Sequence, residues 1–143
     1  MTSPDFKLED FLPYKLSLAA NAVSRRIAKT YAPYKLSPTQ WRVMAVLVDG
    51  TGMTAVAVAE KTGMDKTTIS RAVNKMLDRG LVNRCASDID GRAAPLSLSK
   101  TGMVMFDKIA PQVLAQEREL KAVFTDTELQ RLEGFLSKLK NQP

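Results

Sequence analysis

Apolar residues return along this chain at two spacings, one helical and one of period two, and the change from one to the other marks out the architecture. From Phe11 to Tyr31, Leu16, Ala19, Ala20, Val23 and Ile27 recur at helical spacing. Pro33 ends that segment, because proline fixes φ and lacks the N–H a helix needs. Ser37-Pro38-Thr39-Gln40 then supplies an N-cap, a proline at the first helical position and the glutamine of a capping box. The helix that follows, Trp41 to Val48, is apolar on most sides, which predicts a place in the middle of the molecule. Thr54 is a cap for a short helix from Ala55 to Lys61 that turns Val58 and Ala59 inward, and Thr62-Gly63 ends it. Asp65 caps the next helix, which runs to about Arg79. Its Ile69, Val73, Met76 and Leu77 form one apolar stripe, so the other side must be exposed.

After Gly80 the period shortens. Leu81 can pack back over the last turn, and Leu81 to Ala86 reads as extended. Leu96 and Leu98 alternate with Ser97 on a returning strand, and Asp90-Gly91 between the two runs is a two-residue hairpin signal. Pro95 cannot donate to a ladder, so the returning strand is expected to be an edge there. Lys100 to about Phe124 is predicted to be a long helix kinked at Pro111. Thr125-Asp126-Thr127-Glu128 is a second capping box and opens a last helix with Leu129, Leu132, Leu136 and Leu139 in a stripe that Phe135 widens. The order describes a mainly α protein with a small antiparallel β-wing: a winged helix-turn-helix lobe over residues 36–102, flanked by helical segments 1–35 and 103–143 in one protomer.

That fold sets one helix where it can enter a DNA major groove and the hairpin tip where the adjacent minor groove lies. The exposed side of the helix after Asp65 carries Lys66, Thr67, Thr68, Ser70, Arg71, Asn74 and Lys75, side chains of the kind that meet phosphates and base edges. Among them Ser70 and Arg71 are expected to read bases and Lys75 to hold phosphate. A polar helix face also describes any solvated surface helix. What a solvated helix does not predict is a following hairpin that presents Arg92 at its tip, two residues after Asp90.

Leu36, Ser37 and Gln40 open one helix, Val58-Ala59 sits in the next, and Gly80-Leu81-Val82 is followed by Arg84; then come Asp88, Asp90 and Arg92, and Leu98-Ser99-Lys100-Thr101-Gly102. Together these resemble the MarR family of bacterial transcription regulators over nearly the whole chain. The resemblance implies a homodimer on a pseudo-palindromic DNA operator, usually a repressor released by a small ligand or by oxidation. It also implies that the terminal helices of two chains interlock, where periodicity alone equally allows them to fold back on their own subunit. At the wing it implies that Arg92 enters the minor groove while Asp90 holds its guanidinium. An effector pocket between the terminal helices and the DNA-binding lobe would involve Arg25, Tyr31, Tyr34 and Trp41 and would suit a small aromatic or lipophilic acid. Each of these four also has a plainer role, the aromatics as core and the arginine as a solvated charge. The chain departs from the family at Ser99, where threonine is more frequent, and at Ala93-Ala94-Pro95, which replaces a commonly basic and β-branched stretch.

Composition bounds the remaining possibilities. A chain of 143 residues, 45% hydrophobic, is one domain's worth with enough apolar side chains for a core. No run of about 18 apolar residues could span a bilayer and the first ten residues do not read as a signal peptide, so a cytoplasmic protein is expected. Residues 1–50 and 51–102 each carry an excess of three positive charges, while 103–143 balances, which places the net charge of +6 away from the C-terminal helices. With no histidine and one cysteine, neither a Ser-His-Asp nor a Cys-His arrangement is possible and zinc lacks nitrogen and sulfur ligands. Gly50-Thr51-Gly52 lacks the lysine and hydroxyl of a phosphate-binding loop. No enzyme, cofactor or metal is therefore expected, and Cys85 is expected to be a small hydrophobe in a strand. Two other functions fit a winged helix: a protein-interaction module and a sequence-blind architectural DNA binder.

Overall fold

A computed structural model of the chain describes residues 5–50, 52–85 and 94–143. Among the described residues six α-helices and one two-stranded ribbon follow one another: α1 (Leu12–Tyr31), α2 (Pro38–Leu47), α3 (Ala55–Thr62), α4 (Lys66–Asp78), β1 (Val82–Arg84), β2 (Leu96–Leu98), α5 (Lys100–Lys121) and α6 (Asp126–Lys140). A 3-10 turn, Ala32–Tyr34, joins α1 to α2. The expected mainly helical fold with an antiparallel wing is what forms, and α1 packs along α5. Among the described residues no helix is long and apolar enough to cross a membrane.

Local chemistry sets each helix start. Ser37 Oγ accepts the Gln40 N–H at 3.1 Å while Gln40 Oε1 accepts the Ser37 N–H at 2.9 Å, so the buried Gln40 has a partner for its polar end. Thr54 accepts from Ala57 N, and Gly63 ends α3 at φ 70°, a left-handed conformation that a side chain would strain. The central position expected for α2 is realised. Its Val43, Met44 and Leu47 join Val58 of α3, Ile69, Ala72, Val73 and Met76 of α4, and Leu81, Val82, Leu96 and Ile109 in one core.

In the ribbon Val82 faces Leu98 and Arg84 faces Leu96. Pro95 stands just ahead of β2, and its carbonyl accepts from Cys85 N at 2.7 Å. The expectation of an edge holds only for Pro95 itself. Leu96 is paired on both sides, because Met53 exchanges two hydrogen bonds with it, at 2.8 and 3.0 Å, across from β1. Cys85 also departs from expectation: it is exposed, with Sγ 3.8 Å from Ser97 Oγ, and lies just past β1, whose last buried position is Val82. The hairpin tip, with Asp88, Asp90, Gly91 and Arg92, lies outside the described residues.

α5 is one continuous helix through Pro111 and ends at Lys121, three residues short of the expected Phe124. Its start is locked to the end of α4. Ser99 N donates to the Leu81 carbonyl at 2.9 Å, Ser99 Oγ donates to the Gly80 carbonyl, and Gly102 N donates to Ser99 Oγ at 3.0 Å. Gly102 then lies so close to the Leu81 carbonyl oxygen that a Cβ there would collide with main chain. Gly102→Ala should therefore destabilise the fold by about 1–3 kcal/mol, the range for overpacking, despite the gain of ~1 kcal/mol that alanine brings to a helix. Urea denaturation measures it, and unchanged or raised stability would refute the close approach.

Candidate nucleic-acid interface and the adjoining cavities

Asp65 starts α4 and orients its first turn. Its carboxylate accepts the Thr68 N–H at 2.8 Å and the Thr68 hydroxyl at 2.7 Å. These two bonds, in that order of weight, hold the Asp65 carboxyl below its usual value of 3.8. Thr68 is thereby committed to the cap and sits half-buried. Lys66, Thr67, Ser70, Arg71, Asn74 and Lys75 are all exposed on α4, opposite the buried Ile69, Ala72, Val73 and Met76. One helix thus has its apolar stripe fixed in the core and six polar side chains free to face a partner.

Beside this surface lies an open groove of about 730 Å³, between the N-terminal turn of α2 and the flank of α4. Lys35, Arg71, Lys75 and Arg79 bring four cations to it, Asp78 one carboxylate and Thr39 a hydroxyl. Lys35, Thr39 and Arg79 were not among the expected DNA contacts. For Arg79 the signal was present, since 71, 75 and 79 lie four apart and share one side of a helix. For Lys35 and Thr39 only the packing of α2 across α4 brings them there.

A second cavity, of about 700 Å³, opens between α1, α2 and α6. Its walls are apolar, with Leu16, Val23 and Ile27 of α1 facing Leu132 and Leu136 of α6, and Tyr31, Trp41 and Arg42 also line it. Trp41 is sandwiched: Tyr31 stacks on it at 5.6 Å between ring centroids and Phe106 at 5.3 Å. Burial raises the Tyr31 phenol above its usual value and outweighs the opposing pull of Arg42, so the phenol is neutral at physiological pH. Of the four residues considered for an effector pocket, Tyr31 and Trp41 line this cavity. Arg25 and Tyr34 do not. Arg25 is exposed on α1, beside an Arg26 that reaches α5 through Glu119 at 2.8 Å and Gln116 at 3.1 Å. Tyr34 turns toward α5, where its hydroxyl accepts from Gln112 at 3.5 Å. The cation of the cavity is instead Arg42, which sequence periodicity could not distinguish from any other exposed arginine. Among the described residues no group of three or more acidic, cysteine or histidine side chains could hold a metal.

The MarR family sequence profile matches residues 34–93. The chain is 26% identical over 132 residues, 92% of its length and 80% of the relative's, to a putative transcriptional regulatory protein for the hcr operon of Thauera aromatica. It is 24% identical over 129 residues, 90% of its length and 87% of the relative's, to the homoprotocatechuate degradative operon repressor of Escherichia coli. Among solved structures, a MarR family transcriptional regulator from Silicibacter pomeroyi superimposes with a TM-score of 0.81 at 28% identity, covering 96% of this chain and 98% of that one. A probable transcriptional regulator from Pseudomonas aeruginosa gives 0.79 at 28% identity, covering 93% and 99%.

The cap yields a pH prediction. Because its folded-state pKa is depressed, Asp65 contributes stability that is present above its unfolded value and lost as pH falls through the folded one. Asp65→Asn, which can still accept the Thr68 N–H, should leave the melting temperature near pH 7 little changed and flatten its decline below about pH 4. Asp65→Ala should lower the melting temperature at pH 7 as well. A melting curve for Asp65→Asn as steep in acid as that of the parent would refute the assignment.

Proposed function

We propose that the chain is a winged helix-turn-helix transcriptional regulator of the MarR family, whose profile it matches over residues 34–93 and one of whose members it superimposes on, and that it acts as a homodimeric repressor of a pseudo-palindromic operator and is released by a small aromatic or lipophilic acid. Members of this family regulate transcription rather than catalyse a reaction. The observation that carries the DNA half is the division of α4 between a buried stripe and an outward row of Lys66, Thr67, Ser70, Arg71, Asn74 and Lys75, with a four-cation groove alongside. In this reading Ser70 and Arg71 meet base edges, Lys75 holds phosphate, and Arg92, oriented by Asp90, enters the minor groove.

The dimer half draws on α6. None of its residues is buried, and Leu132, Phe135, Leu136 and Leu139 remain exposed along it, as do Leu12, Leu16 and Val23 on α1. A contiguous apolar surface of this kind on two terminal helices is the surface a second copy covers in an obligate two-fold interface. The effector half draws on the cavity beside it, where two aromatic side chains, Trp41 and the neutral phenol of Tyr31, and one guanidinium suit an aromatic ring bearing a carboxylate. The relative from Escherichia coli is named as the repressor of an operon that degrades an aromatic acid, homoprotocatechuate.

Selection of genomic fragments on the purified protein tests the reading: an inverted repeat with half-sites about one helical turn apart is expected. Enrichment without a motif would favour an architectural binder, and no enrichment an interaction module. On the selected operator, Lys75→Ala should weaken operator and random DNA alike and reduce the salt slope by about one. Arg71→Ala should instead cost about 1–3 kcal/mol at one operator position, and Arg92→Ala about tenfold in affinity with the dimer intact. Equal losses by Arg71→Ala on operator and random duplex would refute base reading.

Trp41 is the chain's one tryptophan and lines the cavity, so its emission reports occupancy directly. Titration with 4-hydroxyphenylacetate should quench it and weaken operator binding, and Arg42→Met should abolish both effects. Unchanged emission at saturating probe, with operator binding intact, would overturn the effector half alone.

A further inference from the structure

At the C-terminal end of α4 the Arg79 guanidinium forks onto the main chain of a distant segment. Nη1 donates to the Lys35 carbonyl at 2.8 Å and Nη2 to the Tyr34 carbonyl at 2.9 Å. Both carbonyls belong to the turn between α1 and α2. That turn is tightly wound: Lys35 N closes on the Ala32 carbonyl at 2.9 Å, and Lys35 itself adopts φ 59°, ψ 38°, a left-handed conformation uncommon for a residue with a side chain. Two neighbouring carbonyls with spare lone pairs match the planar, rigid N–H pair of a guanidinium, and an ammonium group cannot hold both in fixed geometry.

The same turn is one of the places where the terminal helices meet the lobe built from α2, α3, α4 and the ribbon. α1 runs directly into it, Tyr31 at its start stacks on Trp41 of α2, and the Tyr34 hydroxyl accepts from Gln112 of α5. Arg79 is therefore a side-chain strut from the end of the recognition helix to the point where α1 is attached. Arg71 and Lys75 share its side of α4, but no such fork ties them to main chain among the described residues. Thirteen residues of α4 span about 20 Å. A small tilt about the C-terminal end thus moves the far end by a large part of the ~2.7–3.2 Å window in which a base contact is made.

We propose that Arg79 is a positioning residue for operator binding: it fixes the direction of α4 relative to α1 and α5, and so sets the separation at which the two recognition helices of a dimer meet their half-sites. The inference rests on the dimeric operator reading above. The fork uses two of the five guanidinium N–H groups of Arg79, so it is a contact separate from any that the remaining three make with phosphate, and the test below tells the two apart.

The full-length chain and its selected operator provide the test, with Arg79→Lys and Arg79→Ala compared. Dissociation constants are measured on the operator, on random duplex of equal length, over a salt series, and on operators with one base pair inserted or removed between half-sites. Arg79→Lys keeps the charge and loses the fork. It should lose about tenfold on the operator while random-duplex affinity and salt slope stay at parental values. Its preference for the native half-site spacing should narrow as well, and Arg79→Ala should show the same loss on the operator. Parental operator binding by Arg79→Lys would overturn the proposal. So would an equal loss on random duplex with the slope reduced by about one, the signature of a phosphate contact. Thermal unfolding and sedimentation of both variants close the remaining route: loss of stability or of the dimer in both assigns Arg79 to folding and also overturns it. If the parent selects no inverted repeat, the dimeric reading itself fails. If it selects one that both variants bind unchanged, only the role of Arg79 fails.

Discussion

The polar face of α4 is held in place by the burial of that helix's other side, Ile69, Ala72, Val73 and Met76, against Val43, Met44 and Leu47 of α2. A helix of 13 residues is marginal in water by itself. Burying side chains the size of Ile, Val and Met contributes about 1.5–3 kcal/mol apiece, far more than the few tenths that separate most residues in helix propensity. Packing therefore makes α4 a helix, and the same packing dictates which of its side chains face outward. The exposed polar face is the complement of the core stripe.

The ends of that helix are fixed by polar groups of a different kind. Asp65 secures the first turn through Thr68, and beyond the last turn the chain is pinned by Gly80, Leu81 and Ser99 into the start of α5. Arg79 adds a link to the turn after α1. Apart from the Asp65 cap these contacts join segments distant in sequence, and Tyr31, Tyr34 and Lys35 form one attachment of the lobe to the terminal helices, beside that made by Phe106 and Ile109 of α5. The apolar cavity shares Tyr31 with that attachment. A ligand that displaced Tyr31 from its stack on Trp41 would thus act on the same turn that Arg79 grips, without needing any change in the α4 stripe.

α1 and α6 complete the molecule differently. Their apolar residues are arranged as regularly as those of α4, yet they remain exposed because one chain offers too little surface to cover them. Regular spacing of leucines says that a stripe will be buried and is silent about whether the covering surface comes from the same chain.

Sequence by itself determined what local rules control. The capping boxes at Ser37 and Thr125, the left-handed Gly63, the stripe of α4 and the order of helix, turn, helix and ribbon all follow from spacing and from residues whose conformational limits are strict. The family likeness rested on the same short-range pattern and carried the function class with it. Only the tertiary structure decided which residues from separate segments meet. It brought Lys35 and Thr39 beside Arg71, put Arg42 rather than Arg25 or Tyr34 in the cavity, turned Cys85 outward, and paired Leu96 with Met53. The reason is physical. Caps and stripes are set within a few residues by backbone hydrogen bonds and side-chain periodicity, whereas the neighbours of an arginine or a strand edge depend on how whole helices cross, which no local spacing encodes.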